Sequence, residues 1–126
     1  MGKIVLSILA VMGLALTSAA ALPASPTLRV IAVQTNDIKT YRHEVDTLQG
    51  EFKKEGLPVT LRVWRATYAG PDTGTIIVTV EVPDLETLAK IGDAVQKPNS
   101  ALGATMKRIE SIRKIASDSL YEELSP

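Results

Sequence analysis

Among 126 residues there is one histidine, His43, one tryptophan, Trp64, and no cysteine, so the side-chain chemistry open to this chain is narrow. His43 is the only side chain whose ordinary pKa lies near neutrality, hence the only ready proton shuttle. Without thiolates or clustered imidazoles the usual donor sets for zinc and iron–sulfur clusters are missing. Carboxylate-only calcium or magnesium sites stay open in principle, although no EF-hand spacing is present, and neither a metal site nor a cofactor is expected. Arg62, Trp64, Tyr68 and Glu81 are the candidate constellation: an aromatic ring, a phenol and a charged pair able to hold a planar polar ligand if one face gathers them. The same residues suit the packing of a dimer face better still, with Arg62 and Glu81 pairing to offset their own burial.

The remaining polar groups read as structure. The Gly70 to Gly74 stretch has no lysine and leads into no helix, so it is a turn and not a phosphate cradle. Ser117, Asp118 and Ser119 lack a neighbouring base, so they make no nucleophilic triad. Arg65 falls on the aliphatic side near a strand end, where its stem can run past the helix ends. Lys107, Arg108, Arg113 and Lys114 cluster near the end of the last helix, where cations complement the macrodipole on a solvated face.

The elements that must position these residues follow from periodicity. Leu28 to Thr35 alternates through a β-branched-rich run and is the first strand. Asn36 or Asp37 caps the next helix, where Ile38, Tyr41, Val45, Leu48 and Phe52 recur at spacings of 3 and 4. That helix closes at Gly56, with Lys53 and Lys54 in its last turn. His43 lies about 170° around the wheel from this apolar stripe and so faces solvent. Pro58 ends the helical run, and Val59 to Tyr68 alternates as a second strand. Pro71 and Gly74 supply the turn into a third strand, Thr75 to Val82.

The aliphatic faces of this hairpin coincide only if Val59, Leu61 and Val63 share a side with Ile76, Val78, Val80 and Val82. That places Arg62, Trp64, Ala66 and Tyr68 with Ile77, Thr79 and Glu81 on the other side, and both sides then carry large residues. Asp84 caps a second helix with Leu85, Leu88, Ile91, Gly92 and Val95 inward. Pro98 and Asn99 interrupt it, and a further helical segment carries Leu102, Met106, Ile109 and Ile112 on one stripe. Ile115 to Leu124 is the final strand. Helices are expected on the aliphatic side, and a second sheet is the natural cover for the side bearing Trp64.

Residues 1–21 have the order of a secretory signal peptide: Lys3, an apolar run from Ile4 to Leu16, then Ser18, Ala19, Ala20 and Ala21. The run is shorter than the roughly 20 residues that a bilayer span needs. Cleavage is expected after Ala20 or Ala21, giving a periplasmic or secreted protein with no membrane segment. Residues 22–26 are an extended leader and residues 27–126 one α+β domain. The whole chain carries 14 Lys plus Arg against 14 Asp plus Glu, and removal of Lys3 leaves 13 cations. A near-neutral exported chain has no basic face for nucleic acid.

The element order, the stretch Arg65-Ala66-Thr67-Tyr68-Ala69-Gly70-Pro71-Asp72-Thr73-Gly74-Thr75 and the strand residues Ser117-Asp118-Ser119-Leu120-Tyr121 resemble small exported members of the dimeric α/β-barrel superfamily. That superfamily includes NIPSNAP-like and antibiotic-biosynthesis-monooxygenase-type domains. The resemblance covers Thr27 to Leu124. It implies a ferredoxin-like β-α-β-β-α-β fold with helices on one face of an antiparallel sheet, and a homodimer built sheet to sheet. Some relatives ligate haem iron through a histidine, a role that the outward position of His43 does not suit.

The function expected is that of an exported homodimer able to take a small amphipathic or aromatic ligand, with no assignable catalytic machinery. The alternatives are a cofactor-independent monooxygenase or isomerase of the same barrel type, and a structural module of the cell envelope.

Overall fold

The computed structural model describes residues 25–124, so the secretory segment expected over residues 1–21 lies outside the described residues, as do residues 22–24 of the leader. Strands β1 (Thr27–Gln34), β2 (Thr60–Arg65), β3 (Ile76–Val82) and β4 (Lys114–Glu122) alternate with helices α1 (Ile38–Lys54), α2 (Leu85–Gln96) and α3 (Ala101–Ser111). The order is β-α-β-β-α-α-β, and the antiparallel sheet runs β2-β3-β1-β4. This is the ferredoxin-like arrangement, with its second helical connection divided in two. Pro98 and Asn99 make that division, because proline cannot continue the hydrogen-bond ladder and Asn99 adopts a left-handed φ of 61°.

Each helix begins on a side chain that accepts from an otherwise unpaired amide. Asp37 accepts from the Thr40 amide at 3.0 Å, Asp84 from Thr87 at 2.7 Å and Ser100 from Gly103 at 3.0 Å. The stripe of α1 is buried as its spacing predicts, through Tyr41, Val45, Leu48 and Phe52. Gly56 ends that helix at a φ of 71°, a conformation that costs a residue without Cβ nothing. Gln49 reaches from α1 to β2, donating to the Val59 carbonyl at 3.0 Å and accepting from the Leu61 amide at 2.6 Å. It thereby satisfies backbone groups on a strand with only one sheet partner.

The hairpin parity is as expected: Leu61 faces Val80 and Val63 faces Val78, while Arg62 faces Thr79 and Trp64 faces Ile77. Ile31 and Val33 of β1 join the aliphatic side, and the core forms between that side and the three helices.

Three expectations need correction. First, β2 stops at Arg65 and not at Tyr68, because the chain turns through a 3-10 segment at Gly70–Asp72 that starts from a left-handed Gly70. Second, Leu85 is 46% exposed. As the first residue of α2 it lies beside the cap, and the inward place is taken by Thr87, whose hydroxyl donates to Asp84 at 2.7 Å. Third, the cations near the end of α3 are not one solvated face. Arg108 pairs with Glu44 of α1 at 2.9 Å and donates to buried Thr105, whose own hydroxyl donates to Glu51 at 2.6 Å. Arg113 is partly buried, whereas Lys107 and Lys114 are exposed.

Where α2 gives way to α3 the backbones approach closely. A Cβ at Gly103 would stand 2.6 Å from the Lys97 carbonyl oxygen, a backbone atom that a rotamer change cannot move aside. Gly103→Ala is therefore expected to destabilise by about 1–3 kcal/mol despite the better helix propensity of alanine. The measurement is a urea titration, with a lower midpoint at an unchanged slope expected. An unchanged midpoint would mean that the junction opens freely.

Candidate functional site

The structure brings Arg62, Trp64 and Glu81 together on the side of the sheet away from the helices. Alternation along β2 and β3 puts them there, and the register sets their contacts. The Trp64 indole N–H donates to the Thr79 hydroxyl at 2.9 Å, and the Arg62 Nε stands 3.3 Å from a Glu81 carboxylate oxygen. Tyr68 does not join them: it lies in the loop after β2 and is fully exposed. The face continues through Leu28 and Val30 of β1, which pair with Glu81 and Thr79, toward Tyr121 of β4. Trp64 is 50% exposed, and Arg62 and Glu81 are half-exposed as well, so their ion pair contributes little in water. Three large groups thus stand on a broad sheet surface.

His43 is exposed on α1, as expected, and its backbone carbonyl accepts from the Thr47 hydroxyl at 3.1 Å. Among the described residues no group of three or more His, Cys, Asp or Glu side chains gathers as a metal site would need.

The aliphatic side holds what the sequence reading missed. Between sheet and helices lies a partly open cavity of about 170 Å³ lined by Ile31, Val45, Leu48, Phe52, Val78 and Ile91, among other apolar residues. Its wall also carries three polar side chains, Arg29 from β1, Tyr41 from α1 and Arg113 from the turn before β4. Tyr41 is completely buried, and its hydroxyl closes no hydrogen bond among the described residues. Burial pushes its pKa up, and the nearby Arg113 guanidinium holds it partly down without reaching good hydrogen-bond geometry. An orphaned buried hydroxyl is costly enough that its retention calls for a reason.

The two arginines differ. Arg29 is engaged twice by Asp118 of β4, at 2.9 and 2.5 Å, and those bonds hold the Asp118 carboxyl below the usual carboxylate range against the opposing effect of burial. Asp118 is thus the counter-ion of Arg29. Arg113 makes no side-chain hydrogen bond or ion pair among the described residues. Two signals for this site stand in the sequence: Arg29 interrupts the inward parity of Thr27, Ile31 and Val33, and Tyr41 places a polar tip in an otherwise aliphatic and phenyl stripe.

No family model matches the chain, and no curated protein is significantly similar to it. Among solved structures, one neighbour is a conserved protein of unknown function from Bacteroides thetaiotaomicron, described as a possible oxidoreductase. It has 13% identity, covers 79% of this chain and 99% of its own, and superposes with a TM-score of 0.55. Another is a NIPSNAP family protein from Agrobacterium tumefaciens, at 12% identity over 81% of this chain and 85% of its own, with a TM-score of 0.54. At such identities the likeness is one of architecture, and the chain shares with both neighbours a ferredoxin-like α+β fold.

Proposed function

We propose that this chain is an exported homodimer that binds a small, largely apolar molecule in the cavity beneath its helices, with its open sheet face covered by a second copy. The observation that carries the binding reading is the buried, unpartnered Tyr41 hydroxyl beside Arg113 on the wall of an apolar cavity. A cavity of roughly 150 Å³ is large enough to take benzene, so one of about 170 Å³ suits a single ring or a short branched chain.

Binding suits the wall better than catalysis. A phenol whose pKa is raised by burial and two guanidinium groups all donate hydrogen bonds near neutrality, and none of them accepts a proton there. An oxygenase or isomerase of this fold would need its substrate to supply the base. Export rests on the order of charge, apolar run and small residues before Leu22.

Dimerisation rests on the sheet. Its open face carries Trp64, Ile77, Val30 and Leu28, and β4 is exposed along its whole length. A two-fold interface must be self-complementary, and a face holding both Arg62 and Glu81 presents a locally neutral patch to its own copy.

Native mass spectrometry of the protein recovered from the periplasm without refolding tests this reading. A dimer of the cleaved chain carrying a discrete extra mass is expected. A bare monomer would overturn it, and a bare dimer would remove the ligand and favour an envelope interaction module.

A further inference from the structure

We infer that the ligand of this cavity is a small monoanion, a carboxylate on a single ring or a short branched chain, whose charged end is held by Arg113 and the Tyr41 hydroxyl. The inference rests on the binding reading above and adds the chemistry of the head group.

The polar groups decide it. Every polar side chain on the wall is a donor, and Arg29 already has its carboxylate in Asp118. Arg113 feels the Asp118 charge only from a distance and has no carboxylate in ion-pair contact among the described residues, and the Tyr41 hydroxyl beside it lacks an acceptor. A guanidinium with a neighbouring O–H donor is an anion site, and a planar carboxylate matches the guanidinium fork. A neutral ligand would leave the partly buried Arg113 without a directly bonded counter-charge, whereas a single carboxylate supplies one. A second negative charge would find no free cation, because Asp118 already occupies Arg29. The apolar walls from Ile31 to Ile91 then receive the body of the ligand, and its size is bounded by about 170 Å³.

The probes are benzoate and benzyl alcohol, which share a ring and differ at the charged end. Titration calorimetry on the purified protein is expected to give benzoate an affinity at least about tenfold higher, the ratio that one charge-assisted pair supplies. Arg113→Met should cost benzoate about tenfold and leave benzyl alcohol within about twofold. Tyr41→Phe provides a variant whose folding is not in question, because it deletes only an unpaired hydroxyl. Its melting temperature should not fall, while its benzoate affinity should drop several-fold.

If benzyl alcohol binds as tightly as benzoate, the cavity reading survives and the carboxylate inference fails. If neither probe binds, both fail. If benzoate is preferred but Arg113→Met and Tyr41→Phe leave that preference intact, the anion sits elsewhere and the inference is overturned.

Discussion

Trp64→Asp is expected to weaken self-association by roughly 30-fold or more while leaving the fold of each subunit intact. The two halves of this expectation have separate causes. Within one chain Trp64 is half-exposed, lies on strand β2 at the sheet edge and makes one hydrogen bond, to Thr79. Its removal deprives the core between sheet and helices of nothing, since that core lies on the opposite side. In a face-to-face dimer the same ring would be among the largest groups removed from water, and buried interface tryptophans commonly contribute 2 kcal/mol or more, roughly 30-fold in a dissociation constant. Aspartate adds the cost of burying a carboxylate in that interface, where the neighbouring Arg62 guanidinium is already engaged by Glu81. Sedimentation equilibrium reads the association constant and far-ultraviolet circular dichroism reads the fold. An unchanged association constant would remove Trp64, and with it the open sheet face, from the interface.

What could be read from the sequence, and what could not, divides along the range of the interactions. The α1 stripe, its Asp37 cap and its Gly56 stop are local, set by residues within a turn or two of one another, and the structure has them where periodicity puts them. The face assignment of Trp64 was legible as well, because side-chain alternation along two hairpin strands leaves only one register that joins their aliphatic sides. Tyr68 shows the limit of that argument. Alternation would put it beside Trp64, but the strand ends three residues earlier, ahead of the left-handed Gly70 and Pro71 that turn the chain. The cavity was not legible. It exists because β1, α1, α2 and the turn before β4 leave a space that no single element defines, and its polar wall joins residues from position 29 to position 113. Arg113 looked like one more cation completing a helix end, and only the packing of Tyr41 against it gives it a different meaning.

Gly92 supplies the strongest test of whether that space is built or incidental. It lies inside α2, where glycine is less favourable than alanine by about 1 kcal/mol, so a structural reason for it is needed. Close packing is not the reason: a Cβ there would meet nothing within 4 Å, unlike the one at Gly103. What Gly92 does is line the cavity, together with Val45, Leu48 and Ile109. A side chain at this position would grow into the space proposed for the ligand. Gly92→Leu is therefore expected to raise stability, by about 1 kcal/mol from helix propensity alone and more from the buried side chain. Benzoate and benzyl alcohol should both lose at least about a hundredfold in affinity, because ring and leucine cannot occupy the same volume. Overpacking would reverse the sign of the stability change by about 1–3 kcal/mol, so a urea midpoint below that of the parent protein would mean the space is smaller than it looks. A more stable variant with undiminished affinity for the ring would place the ligand outside this cavity. A more stable variant that binds neither probe would mean that α2 carries a suboptimal residue to keep a binding site open, a trade of stability for function that a merely imperfect core has no reason to make.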